Sequence, residues 1–186
     1  VLNFFPIKTQ LVREIKTDST SEGCVVDDES GILYFAQEDE NSGVYFIDAE
    51  PKDHEIDIID NMKENGGHIN GDTEGLAILN HPEGKLLIAS SQGSSDFTVY
   101  SLTNKNKFIG RFSIVKDNKI DGVSRTDGIE IYTGYINEDY EFGILIAQDD
   151  MNMATFNLDG VSLQAKKINQ NFKLVPIKQI VENFLN

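Results

Sequence analysis

Thr73-Glu74-Gly75-Leu76-Ala77-Ile78 decides the fold, because the same passage occurs three times along the chain. Ser21-Glu22-Gly23 leads into apolar Cys24-Val25-Val26, and Thr126-Asp127-Gly128 leads into Ile129-Glu130-Ile131. The acidic residues fall 52 and 53 positions apart, from 22 to 74 and from 74 to 127. A second element keeps step with the first: Tyr34-Phe35-Ala36-Gln37-Glu38-Asp39, then Leu87-Ile88-Ala89-Ser90-Ser91-Gln92, then Leu145-Ile146-Ala147-Gln148-Asp149-Asp150. Two patterns in register three times make a repeat of roughly fifty residues. That period, built from short β-rich runs, is the period of a propeller blade; leucine-rich and helical repeats have other lengths and compositions.

Each unit reads as strand, turn, strand, polar tip and one or two outer strands. Asp27-Asp28-Glu29-Ser30-Gly31 and Asn80-His81-Pro82-Glu83-Gly84 supply hairpin turns. Gly43-Val44-Tyr45-Phe46-Ile47 and Phe97-Thr98-Val99-Tyr100-Ser101-Leu102 follow as outer strands. The fold class is therefore all-β, a β-propeller, with blades expected near 16–70, 71–120 and 121–175. Gln170 to Val175 reads as a closing strand, and Pro176 suits the first turn of a short helix over Ile177 to Leu185. Three blades cannot close a ring and leave open sheet edges. The remaining blades are expected from residues before Val1 or from another chain, and Asn3 to Ile15 is expected to give outer strands to a preceding blade. The first residue is Val1, with no basic or apolar leader pattern, which suits an excerpt of a longer polypeptide.

The 186 residues are 39% hydrophobic, enough for a substantial core, and carry a formal net charge of -15. Such a chain repels nucleic acid and anionic membrane unless a cation intervenes, so neither is expected as a partner. No apolar run approaches the length of a bilayer span. The lone Cys24 cannot form an internal disulfide, and its apolar neighbours predict a buried, inert thiol.

In a propeller the innermost strands line a central channel, so equivalent residues of each repeat converge at one end of it. Glu22, Glu74 and Asp127 hold one such place. Glu38, Gln92 and Asp149 hold another, at the tip of the second strand, and Asp72 and Asp121 add to the same rim. Read singly, Glu-Gly and Asp-Gly are ordinary turn residues; three in register point to a shared site. So many carboxylates cannot all stay ionised without a cation. Oxygen donors without a Cys or His set select calcium or magnesium, and many irregular carboxylates suit calcium. His54, His68 and His81 lack zinc-ligand spacing and are expected at the surface. Asp117-Asn118-Lys119-Ile120-Asp121-Gly122 is not an EF-hand, because Lys119 fills a ligand position and position twelve is Gly128.

Taken in order, Glu22-Gly23, Ala36 to Glu40, Asp72 to Leu76, Ala89 to Gly93, Lys119 to Gly122, Thr126 to Ile129, Ala147 to Asp149 and Asn169 to Lys173 resemble the motifs of the β-propeller phytases. The resemblance runs from about Leu11 to the C-terminus. It implies the second half of a six-bladed propeller that hydrolyses inositol hexakisphosphate with several bound calcium ions, in a secreted or periplasmic protein. By that resemblance Glu22, Glu38, Asp72, Glu74, Gln92 and Asp127 fall on active-site calcium positions. Asp121 falls on a further calcium aspartate, and Asp149 matches its motif. The substrate would be phytate or another inositol phosphate as its calcium complex. The rival reading is a non-enzymatic or incomplete calcium-binding propeller acting as scaffold or accessory module. Met151 to Lys167 exceeds the expected spacing, with an extra hairpin at Asn157 to Val161. Arg125 reads as a local counter-charge in preference to a phosphate contact.

Overall fold

The computed structural model describes residues 8–185 except 53, 118–119, 159–160 and 168, with backbone alone at 40, 153–158 and 161–167. The first sheet has the strand order β1 (Ser21–Asp27), β2 (Ile32–Gln37), β3 (Gly43–Asp48), β4 (Asp57–Asn61), each antiparallel to the next. The second repeats the plan with β5 (Thr73–His81), β6 (Gly84–Ser91), β7 (Asp96–Ser101) and β8 (Lys107–Phe112). The third has three strands, β9 (Ile129–Thr133), β10 (Gly143–Asp149) and β13 (Asn171–Pro176), in the order β13-β10-β9. Between β10 and β13 the chain makes a separate hairpin of β11 (Met153–Leu158) and β12 (Val161–Lys167). This is the extra hairpin expected from the sequence; its tip, Asp159 and Gly160, lies outside the described residues. One helix, α1 (Ile177–Phe184), begins directly after Pro176. The chain is all-β with one short C-terminal helix, a partial propeller.

Strand alternation explains how the sheets stack. Val25, Tyr34, Ala36, Val44 and Phe46 lie on one face of the first sheet and meet Leu76, Leu87, Ala89, Tyr100 and Phe108 of the second. The opposite face of the second sheet, with Leu79, Leu86, Ile88, Phe97 and Val99, packs on Leu145 and Ala147 of the third and on Ile177, Ile180 and Val181 of α1. Burying these side chains removes apolar surface from water at about 25 cal/mol per Å², and this is what holds the blades together. A polar clasp joins the first two blades. Buried Asp60, near the end of β4, accepts a 2.9 Å hydrogen bond from the Tyr100 hydroxyl and another from the His68 backbone N–H.

The two outward faces of the stack have no such cover among the described residues. Cys24, Val26 and Ile58 are exposed on the first sheet, and Tyr132, Phe172 and Leu174 on the third. Cys24 therefore departs from the expectation of burial. It shares a face with Phe35, Tyr45 and Ile58, the face turned away from the second sheet. Its apolar neighbours alternate sides, so the run around it does not bury it. Residues 8–17 form no strand; instead Arg13 ties them to the first blade by donating to the carbonyl oxygens of Asp48, Glu50 and Lys52.

Candidate active site

In the first two repeats the acidic residue sits at a backbone irregularity. The β1–β2 register shifts between Ser21 and Cys24, and the β5–β6 register shifts between Thr73 and Leu76. Both shifts fall on the Glu-Gly pair. Such a bulge bends the strand and re-aims one side chain, which is how Glu22 and Glu74 leave the ladder to meet Glu38. The glycines have a separate duty. A Cβ on Gly23 would lie 2.3 Å from the Glu74 carbonyl oxygen, and one on Gly75 would lie 2.7 Å from that of Asp127. Each glycine lets one inner strand touch the inner strand of the following blade, and that contact brings the carboxylates together.

Glu22, Glu38 and Glu74 each present a carboxylate oxygen within 4.8 Å of the others. Glu22 is exposed, Glu38 half-buried and Glu74 buried. Burial first, and then the charges of Glu22, Glu38, Asp127 and Asp72, together raise the Glu74 carboxyl to about 7. Glu38 is raised as well, by desolvation first and then by Glu22, Asp39 and Asp72, with a hydrogen bond to Glu22. Three nearby side chains complete the group. Asp72 accepts the Asp39 backbone N–H at 3.4 Å, while the Gln92 amide donates to Asp127 Oδ1 at 2.5 Å. The backbone N–H of Gln92 also donates to the Asp72 carbonyl oxygen at 2.8 Å. The set around Glu74 is thus five carboxylates and one amide drawn from three blades, an acidic cluster that could hold a metal ion.

The other two aspartates lie elsewhere. Lys173 on β13 is buried, with its Nζ 2.6 Å from Asp121 Oδ1 and 3.2 Å from Asp149 Oδ2. The Ser124 backbone and hydroxyl both donate to Asp149 Oδ1. Lys173 supplies positive charge to that cluster. Nothing marked this role in the sequence, since Lys173 reads as one polar residue on a strand.

Strand register also revises the third member of the second set. Cys24 pairs with Phe35, Leu76 with Ala89 and Ile129 with Ala147. Three residues beyond each partner stand Glu38, Gln92 and Asp150. Their backbone N–H groups donate to equivalent turns, at Thr20, Asp72 and Ser124. Asp150, not Asp149, is the structural counterpart of Glu38 and Gln92; Asp149 still belongs to β10 and points into the protein.

The family model for phytases matches residues 6–186. The chain belongs to the phytase family. It is 38% identical over 174 residues to a protein named 3-phytase from Bacillus subtilis (strain 168), covering 92% of this chain. The chain spans 42% of that relative's length.

Proposed function

We propose that this chain forms the C-terminal half of a single β-propeller domain, blades near 16–70, 71–120 and 121–175, that hydrolyses phosphomonoesters of phytate in the presence of calcium. One observation carries the reading: carboxylates from adjoining blades meet within 4.8 Å around the buried Glu74, inside a chain of the phytase family. The remaining blades are supplied by the rest of a longer polypeptide or by another chain.

Glu22, Glu38, Asp72, Glu74, Gln92 and Asp127 are the residues that would hold calcium. Their donor set fits a large, irregularly coordinated hard cation, and the proton held on Glu74 near neutrality marks where positive charge is lacking. Calcium held by these residues would offset the repulsion between an acidic protein and a polyanion, polarise phosphoryl oxygens and activate a water. Glu74, freed of its proton, anchors the cluster from the buried side. Gln92 fixes the rotamer of Asp127 through its amide, so that the third blade's carboxylate faces the same rim. No side-chain nucleophile is assigned: attack by water needs only positioning and charge stabilisation.

The rival is a propeller in which calcium is structural only. Phosphate release from inositol hexakisphosphate by the complete protein, with calcium and with chelator, separates the two. Turnover that appears with calcium and vanishes with chelator, while the fold persists, supports hydrolysis. A calcium-stabilised fold with no phosphate release at any calcium concentration supports the rival.

A further inference from the structure

A single 3-10 turn closes the tip of each of the first two blades, Asp39–Asn41 in one and Gln92–Ser94 in the other. The residue that ends the turn is a serine both times, Ser42 and Ser95, and its N–H donates back to the carbonyl oxygen of Asp39 or Gln92. Both hydroxyls reach across to the following blade. Ser42 Oγ accepts the Thr73 N–H at 3.0 Å and donates to the Gly71 carbonyl oxygen at 3.0 Å, so it brackets Asp72. Ser95 Oγ accepts the Arg125 N–H at 3.1 Å, two residues before Asp127. The second strand of the blade itself holds the next N–H but one. Ser90 Oγ accepts from Gly75 at 2.9 Å, and Gln148 Oε1 accepts from Asp127 at 2.9 Å. In the third blade the hairpin of β11 and β12 stands in place of the turn and its serine.

We propose that Ser42 and Ser95 are positioning residues for the carboxylate cluster: each fixes the acid-bearing segment of the following blade, so that side chains from adjoining blades meet in one arrangement before a cation arrives. This rests on the calcium-dependent reading above. The two joints they cross are those across which the cluster is assembled. Glu22 and Glu38 meet Glu74 at the first, and Gln92 meets Asp127 at the second. Without a cation the carboxylates repel one another, and the two neutral serine bonds hold the blades against that repulsion. Ser42 is buried, so losing its hydroxyl deprives the Thr73 N–H of that partner inside the protein. Ser95 stands in left-handed backbone, φ 54°, where glycine is free of strain and serine is not. What the serine adds at that strained position is its bond to Arg125. Groups that orient metal ligands without touching the metal change its affinity by about tenfold or more when removed.

The test uses the complete protein as wild type, Ser42→Ala, Ser95→Ala and Ser95→Gly. In chelator, hydrogen exchange of the Thr73 amide should quicken about tenfold in Ser42→Ala, and that of the Arg125 amide likewise in both Ser95 variants. Calorimetric titration with calcium chloride should give a Kd about tenfold higher in all three. The two Ser95 variants separate positioning from stability. Glycine relieves the left-handed strain and alanine keeps it, so Ser95→Gly should melt above Ser95→Ala, yet both should lose calcium affinity alike. Affinity that instead follows Tm, with Ser95→Gly near wild type, would overturn the proposal, as would an unchanged Kd in the folded variants. If Ser42→Ala is unfolded, the Ser95 pair decides. Wild type that binds calcium but releases no phosphate from inositol hexakisphosphate sinks the hydrolytic reading and leaves the calorimetry decisive. Wild type that binds no calcium sinks the calcium reading, and amide exchange then decides alone whether the serines hold the two segments.

Discussion

Glu74 is where packing and charge meet. Its carboxyl is buried and held at about 7 against an ordinary value of 4.5, so the folded chain binds that proton more tightly than the unfolded chain does. Without metal, its contribution to stability is fully present below about pH 4.5 and fades as the pH rises through 7. Unfolding midpoints in chelator should therefore fall across that window, and in Glu74→Gln the fall should be smaller. In the complete protein, Glu74→Gln should lower phosphate release at least about a hundredfold with the fold intact, as should Glu22→Gln and Asp127→Asn. Near-normal turnover by all three variants would refute the ligand assignment. Lys173 gives the opposite contrast. Removing it leaves Asp121 and buried Asp149 facing each other, and Lys173→Ala should cost about 3–5 kcal/mol in denaturant unfolding. These pairings were illegible beforehand. Spacing groups carboxylates by repeat, but only the ladder tells which alternate residue turns inward, and so Asp149 stood where Asp150 belongs.

At the scale of elements, the repeat was readable because each blade must bury the same alternating faces and end in the same tip. The hairpin turns, the outer strands, the strand ending at Pro176 and helix α1 all follow from local pattern. The exposure of Cys24 did not, since it depends on which neighbour covers a face rather than on the strand itself. The glycines after each acid were legible as turn residues, yet their work is to let inner strands touch. Gly23→Ala and Gly75→Ala place a Cβ against backbone atoms of the next blade and should destabilise by about 1–3 kcal/mol, read as a shift in denaturant midpoint. Gly128 has nothing within 4 Å of the equivalent point. If a further blade follows it in the ring, Gly128→Ala should cost a similar amount in the complete protein. An unaffected midpoint there would place the third blade at an open end.

At the scale of the molecule, a set of clustered carboxylates binds cation only when folded, so calcium should stabilise the native state by mass action. At a hundredfold excess over Kd the gain from one site is about 2.7 kcal/mol, visible as a higher Tm with calcium than with chelator. The 186 residues alone, as a monomer, should release no phosphate, because the outward faces of the first and third sheets lack cover among the described residues. Robust turnover by that monomer would relocate the active site. The central claim is that side chains of adjoining blades share bound calcium. Calorimetric titration of the complete protein with calcium tests it most directly, comparing wild type with the Glu22→Gln, Glu38→Gln, Glu74→Gln triple variant. The account predicts that the folded variant binds at least one ion fewer; an unchanged number of ions at unchanged affinity would contradict it.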